Sequence, residues 1–188
     1  MAVHEGDAAV LAELLNDPHG RIDPDHGADK TQSPLGQACA AGKAELVRLL
    51  LDAGAKPNRS EKRRSPFLDA VQRDDIRMLR LLLAHADVTE RNELGQTALH
   101  LAAGENAVAS VELLAERVDC HVADLSGTSA LHAAVAAGSH RAVHALLQRF
   151  PDLIEAADAF GRKALHIAAA RGDRMLVEDL IGTWGAAA

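Results

Sequence analysis

Ser129 stands three residues ahead of His132 in the stretch GTSALHAAVAAG, residues 127–138, and small side chains flank both. A serine nucleophile and its general base must lie within hydrogen-bond reach, and a three-residue helical spacing can bring them there. His140 and His144 form an i, i+4 pair, the spacing at which one helix face chelates a divalent ion. Cys39 and Cys120 are the two thiols. Hydrolysis, zinc binding and thiol chemistry are thus what these residue types could carry, and each makes a further demand. A hydrolase also needs an acid to orient the histidine and an oxyanion hole, and the sequence displays neither. Zinc needs a third ligand, and no acidic or cysteine partner is implied near His140 and His144. Cys39 sits among alanines and Cys120 in a small apolar slot, so buried packing is the expectation for both.

The elements that position these residues recur. SPLGQACAAGKAELVRLLLDAGA (33–55), SPFLDAVQRDDIRMLRLLLAHAD (65–87), TALHLAAGENAVASVELLAERVD (97–119), SALHAAVAAGSHRAVHALLQRFP (129–151) and KALHIAAARGDRMLVEDLIGTWG (163–185) align without gaps. Their starts at Ser33, Ser65, Thr97, Ser129 and Lys163 are 32, 32, 32 and 34 residues apart. In the first four of these units a Ser or Thr is placed to cap a short helix, with Pro or Ala next, where no intrahelical donor is required. Apolar residues at helical spacing follow, such as Leu99, Ala102 and Ala103, then a turn at Gly42, Asp74, Asn106, Gly138 or Gly172. A second helix carries a stripe such as Leu46, Val47, Leu49 and Leu50. One helix pair cannot bury both faces, so the units must stack.

The period and the TALH, SALH and KALH starts resemble the ankyrin repeat, whose signature is T-P-L-H-x-A at a period near 33. The resemblance implies an all-α ankyrin-repeat solenoid of about five full helix-turn-helix units plus a truncated N-terminal unit, joined by β-hairpin-like finger loops. The expected units are 1–26 (a clipped cap), 27–59, 60–91, 92–123, 124–156 and 157–188, together one domain. Residues 16–32, with Pro18, Gly20, Pro24 and Gly27, read as a long first finger. The question raised by Ser129 and His132 is answered by Thr97 and His100, the same pair one period earlier. In this family such a pair looks like a hydrogen-bond tie at a helix start, and His166 takes the same place. Trp184 is expected to cover the apolar end of the last unit.

Composition agrees and excludes. The apolar share is 48% but aromatics are 2%, with no tyrosine, so alanine and leucine fill an interior of closely packed helices rather than sheets. A net charge of -7 speaks against binding nucleic acid or acidic membranes. Two isolated cysteines fit a reducing compartment, and no run approaches membrane-spanning length, so the expected location is cytoplasmic, or nuclear in a eukaryote.

The motif is broken in places. The finger glycine of Gly95, Gly127 and Gly161 is Thr31 and Arg63 in earlier units, and Gly36 and Leu68 stand where the histidine would be. Only Gly54 survives as the glycine after a second helix, where His85, Arg117 and Phe150 otherwise stand.

For binding, the family resemblance implies the finger tips and the inner faces of the first helices. Residue by residue these are Lys62 and Arg64, Gln72 and Arg73, Glu93, Leu94 and Gln96, Glu105, Leu125, Ser126 and Thr128, Phe160 and Arg162, and Arg171. Leu94, Leu125 and Phe160 put apolar groups where the fold requires none. Residues 59–80 carry 7 basic and 4 acidic side chains in an otherwise acidic chain. Glu61 interrupts the basic run RSEKRR, which argues against a nuclear-import signal. The expected function is a non-enzymatic, monomeric protein-interaction module without catalytic residues, metal or cofactor, whose protein partner carries an acidic segment beside an apolar one. The competing expectations are an architectural or targeting spacer and a metal-binding protein using surface histidines.

Overall fold

The structure is a computed structural model that describes residues 23–25, 33–58 and 65–185. All but residues 23–25 of the expected clipped first unit and of the long first finger lie outside the described residues, as do Lys62 and Arg64. The chain divides into two compact units, Met1–Ala70 with Asp75–Asp87, and Val71–Asp74 with Val88–Ala188.

Among the described residues there are ten α-helices, one 3₁₀ helix and a single isolated antiparallel bridge, Ala157 with Lys163. The helices come in pairs as the repeat predicts. The first unit holds α1 (Pro34–Ala40) and α2 (Ala44–Asp52), most of α3 (Pro66–Gln72), and α4 (Ile76–Leu82). The second holds α5 (Ala98–Gly104), α6 (Val108–Ala115), α7 (Ala130–Ala137), α8 (His140–Arg149), α9 (Ala164–Arg171) and α10 (Arg174–Gly182).

First helices start where the Ser/Thr pattern places them. Ser33 Oγ accepts the Gly36 N–H at 3.1 Å and Ser65 Oγ accepts the Leu68 N–H at 3.1 Å, each followed by proline at the first helical position. The helices are short, so burial rather than helix propensity holds them. Leu35, Ala38, Leu46, Val47, Leu50, Phe67, Met78, Leu79 and Leu82 form the core of the first unit. In the second unit Leu99, Ala102, Ala103, Val111, Leu114, Leu131, Val135, Val143 and Leu146 do the same. Each wholly buried leucine contributes about 1.5–3 kcal/mol over an exposed one.

All five predicted turns between paired helices adopt the left-handed conformation, with φ of 69° at Gly42, 54° at Asp74, 56° at Asn106, 76° at Gly138 and 68° at Gly172. Asp74 and Asn106 tolerate it because their short polar side chains bond locally, and both also do something glycine cannot. The Asp74 carboxylate accepts the N–H groups of Ser110 at 2.7 Å and Ala109 at 3.3 Å, capping α6, whose own N-cap Ala107 has no side-chain acceptor. Asn106 Oδ1 accepts the Ala142 N–H at 3.0 Å and caps α8 in the same way. Ser139, the residue before α8, instead donates its hydroxyl to the Gly104 carbonyl. Helices α4 and α10 carry their own aspartates, Asp75 and Asp173, which accept the N–H groups of Met78 and Leu176 at 3.1 Å.

Second-helix ends differ as the missing glycines foretell. Gly54 closes α2 with φ 93°. At α4 and α6 the last turn tightens instead, with the Leu82 carbonyl accepting from His85 and Ala86, and that of Leu114 from Arg117 and Val118. After α8, Phe150 breaks to φ -133° and the chain enters the 3₁₀ helix Pro151–Glu155, where the longer 34-residue spacing is absorbed.

Candidate functional site

The fingers of the second unit are built on one acidic or amide residue each. Asn92 Oδ1 accepts the N–H groups of Leu94 and Gln96, Asp124 Oδ1 those of Ser126 and Thr128, and Asp158 Oδ1 those of Phe160 and Arg162. The backbone N–H of each of these three residues donates to the carbonyl four residues on. Burial alone would raise the Asp158 carboxyl, but the backbone N–H groups and the Arg162 guanidinium, 2.8 Å away, hold it below the usual carboxylate range. Successive fingers lie against one another: Leu125 N–H donates to the Leu94 carbonyl at 3.0 Å, and Ala159 N–H to the Ser126 carbonyl at 3.1 Å. The approach is close enough to demand glycine. A Cβ on Gly95 would stand 2.9 Å from Leu125 Cγ, and one on Gly127 would stand 2.6 Å from the Ala159 nitrogen.

The Ser/Thr–His pairs hold these fingers. Thr97 directs its backbone N–H (3.2 Å) and hydroxyl (2.9 Å) at His100 Nδ1, and Ser129 does the same to His132 Nδ1 at 3.3 and 2.8 Å. With Nδ1 accepting, the proton sits on Nε2, which donates into the next finger: His100 to the Thr128 carbonyl at 2.9 Å, His132 to the Arg162 carbonyl at 3.0 Å. All four side chains are buried, and burial pushes both histidines below their ordinary value toward the neutral form. The outer ring nitrogen that an acid would orient in a hydrolase is satisfied by a backbone carbonyl, and the serine faces no open space. His166 makes the first half of the tie, Nδ1 accepting the Lys163 N–H at 3.0 Å, but its ring is exposed and Nε2 meets no acceptor among the described residues.

The described residues that the resemblance assigns to binding all belong to the second unit. Leu94, Leu125 and Phe160 stand on three successive finger tips, 61%, 79% and 77% exposed. Gln72, Arg73, Glu93, Glu105, Ser126 and Arg171 are exposed, and Gln96 and Thr128 half-buried. Several are committed to the fold. Gln96 Oε1 accepts from the Asn92 amide, the Arg162 guanidinium pairs with Asp158 and lies 5.2 Å from the Phe160 ring centroid, and Arg171 donates to the Ala136 carbonyl. The apolar tips and the exposed Gln72, Arg73 and Glu105 are not committed in this way.

One expectation about the outer helices is overturned. His140 and His144 do have acidic partners, because α10 presents one aspartate to each: His140 Nε2 lies 3.1 Å from Asp173 and His144 Nε2 lies 3.3 Å from Asp179. Each imidazole is thereby occupied separately. Among the described residues no group of three His, Cys, Asp or Glu side chains could hold a metal ion. Sequence reasoning also missed His121, whose Nε2 meets Asp152 at 2.6 Å and Nδ1 meets Asp119 at 3.2 Å; the Asp152 hydrogen bond raises its pKa. Trp184 turns its ring edge onto His144, centroids 5.8 Å apart, and leaves Ile181 50% exposed, so it covers less of the last repeat than expected. Cys120 is buried as expected and Cys39 only half-buried; burial drives their thiols up to about 11 and about 12, which leaves them un-ionised and unreactive. No helix among the described residues is long and apolar enough to cross a membrane.

A family model described as ankyrin repeats (3 copies) matches residues 1–92, 35–124, 67–153 and 99–186. Among solved structures the chain is similar to the ankyrin repeat domain of Bcl-3, described as a unique member of the IkappaB protein family, at 33% identity and a TM-score of 0.86, over 99% of this chain and 85% of that one. It is also similar to EF0377, an ankyrin repeat protein, at 27% identity and a TM-score of 0.78, over 96% and 94% of the two chains. No curated protein matches the sequence.

Proposed function

The chain belongs to the ankyrin-repeat family, and from that premise we propose that it is a monomeric, non-enzymatic module that binds a protein partner through its concave surface of fingers and inner helices. The repeats of this family serve in general as protein-interaction modules, and the Bcl-3 domain is described as belonging to the IkappaB family. The observation that carries the reading is the row Leu94, Leu125 and Phe160. A chain with three phenylalanines places one of them, with two leucines, on the solvent side of successive finger tips, where each is largely exposed. Chemistry at the same place is disfavoured because its histidines are consumed by carbonyls.

The partner presents an apolar segment to this row and an acidic one to the basic residues Lys62, Arg64 and Arg73 of the stretch 59–80, of which Arg73 is exposed. Charge then steers the encounter and the apolar tips set the lifetime of the complex. The test is a partner recovered from source lysate and titrated against two variants. Arg64→Glu slows association and makes it less salt-dependent, and Leu125→Ala speeds dissociation at a cost of about 1–3 kcal/mol, as for an interface anchor. Unchanged affinity in both, with binding abolished by His140→Ala and His144→Ala, would place the partner on the outer helices and end this reading.

A further inference from the structure

We propose that the fingers of the second unit form an acid-released clasp: protons on His100 and His132 part the fingers that carry Leu125 and Phe160, while the contacts of His121, His140 and His144 hold, so the finger-tip row loses its alignment at a pH where the chain is still folded. As a regulation of that row, the clasp rests on the binding role given to it above.

Neighbouring repeats of the second unit are joined by histidines on two sides, and the two sides ask for opposite things of the ring. On the finger side, His100 Nδ1 accepts the Thr97 N–H while Nε2 donates to the Thr128 carbonyl, and His132 repeats this between Ser129 and Arg162. Only the neutral ring can do both. A second proton would set Nδ1 against two donors, of which the hydroxyl can turn to accept it and the backbone N–H cannot. Burial, above all, keeps the charge out of both rings. The acid nearest His100 is Asp124, opposed by Arg91, and the acid nearest His132 is Asp158, which the Arg162 guanidinium already covers. A finger that swings away gives its histidine to water, where the proton is welcome.

On the other side the acceptors are carboxylates. His121 lies between Asp152 at 2.6 Å and Asp119 at 3.2 Å, and a charged ring suits both. His140 and His144 face Asp173 and Asp179, acceptors that a proton does not turn away. Acid therefore spares these contacts and strikes the fingers. The finger-to-finger bonds at the tips, Leu125 N–H to the Leu94 carbonyl and Ala159 N–H to the Ser126 carbonyl, join exposed residues and exchange for water at little loss. Because the parted state binds the extra proton and the closed state does not, each histidine multiplies the ratio of parted to closed by up to about tenfold per pH unit below 6.5.

The test follows single amides of the full chain by hydrogen exchange between about pH 7.5 and 5, each rate divided by the intrinsic rate at that pH, with nitrogen NMR of the histidine rings alongside. The Leu125 and Ala159 amides lose about tenfold or more of their protection in step with protonation of His100 and His132. The Asp124 and Asp158 amides, bonded within their own fingers, and those in the middle of α7 keep theirs. Protection at Leu125 and Ala159 that stays constant while the rings titrate, or that is lost only together with α7, overturns the proposal. His100→Asn with His132→Asn removes the pH dependence, and a dependence that persists in the folded variant also overturns it; should the variant not fold, the coincidence of ring titration and amide exposure in the parent decides alone. For regulation the probe is a peptide selected from a random library on the chain at about pH 7.5 and lost in Leu125→Ala; it dissociates about tenfold faster at about pH 5.5. An equal rate at both pH values overturns the regulatory role. Selected peptides that ignore Leu125→Ala count against the finger-tip site itself, whereas the amide result needs no partner, so the clasp and the site fail separately.

Discussion

Ser65 in the first unit and Ser129 in the second hold the same place in their repeats and cap their helices with the same atom, yet only one reaches beyond its own repeat. Ser65 Oγ accepts the Leu68 N–H and the chain of bonds ends. Ser129 engages His132, and the imidazole carries the connection 30 residues on, to the Arg162 carbonyl. Links between repeats in the first unit involve no histidine: Asn58 and Asp87 exchange two exposed hydrogen bonds, the Asp25 carboxylate takes the Lys56 N–H in a half-buried bond, and the Pro57 carbonyl takes the Phe67 N–H. A buried, fully satisfied bond is costly to break, whereas an exposed one is exchanged for water at little loss. One residue, histidine against Gly36 or Leu68, thus decides whether a helix cap is also a link to the next finger. The interaction surface rides on the linked fingers.

The largest effect that sharpens this contrast lies at the finger glycines. Gly127→Ala costs about 2–4 kcal/mol, the sum of a left-handed alanine and a backbone collision, whereas Gly161→Ala costs only about 1–2 kcal/mol, the conformational part alone. Denaturant unfolding of the two variants checks it; equal losses would mean that the fingers do not pack as closely as the geometry shows.

Next in size are the ties. His132→Ala lowers stability by about 1–3 kcal/mol by stranding the Arg162 carbonyl and the Ser129 N–H, while His166→Ala, whose exposed outer nitrogen meets no acceptor among the described residues, costs under about 0.5 kcal/mol. Neither the parent nor Ser129→Ala hydrolyses activated esters; turnover that vanishes in Ser129→Ala with the fold intact would make the pair catalytic after all.

Smaller still is the response to pH, and its sign differs between the two kinds of histidine. His100 and His132 have folded pKa values below 6.5, so the unfolded chain binds more protons and their stabilisation is lost as pH falls from 6.5 toward those lower values. A proton on Nδ1 would face the Thr97 or Ser129 N–H, donor against donor. His121, raised above 6.5 by Asp152, contributes fully below 6.5 and loses its contribution as pH rises through its folded value. Melting temperatures between about pH 5 and 7.5 therefore fall on the acid side. Replacing His100 and His132 by asparagine flattens that fall and His121→Asn steepens it slightly; the reverse order would show that the ties are not neutral imidazoles.

Much of this was legible in the sequence. The period placed every described helix pair, the turns at Asp74 and Asn106, and the pairing of Thr97 with His100, because each depends on residues within one turn of a helix. What escaped were contacts about one repeat apart. Asp74 capping Ser110, and His144 meeting Asp179, join residues 36 and 35 apart, and no local pattern states which face of one helix meets which end of the next. The two histidines of α8 looked bereft of acids for this reason, since both aspartates belong to the following repeat. The residues on which the fingers are built had a visible signal: Asn92, Asp124 and Asp158 each stand five residues before the N-cap residue of the following helix. The finger-tip row was legible as apolar residues that the fold does not need, and Lys62 and Arg64 lie outside the described residues.

The central claim, that histidine ties bind the fingers of the second unit into a more stable platform than the first unit possesses, is tested most directly by native-state hydrogen exchange resolved to single amides. The slowest exchange is expected in α5 and α7, after Thr97 and Ser129, with markedly faster exchange over residues 65–75, where the cap has no histidine. Uniform protection across these helices, or slower exchange at 65–75, would contradict it.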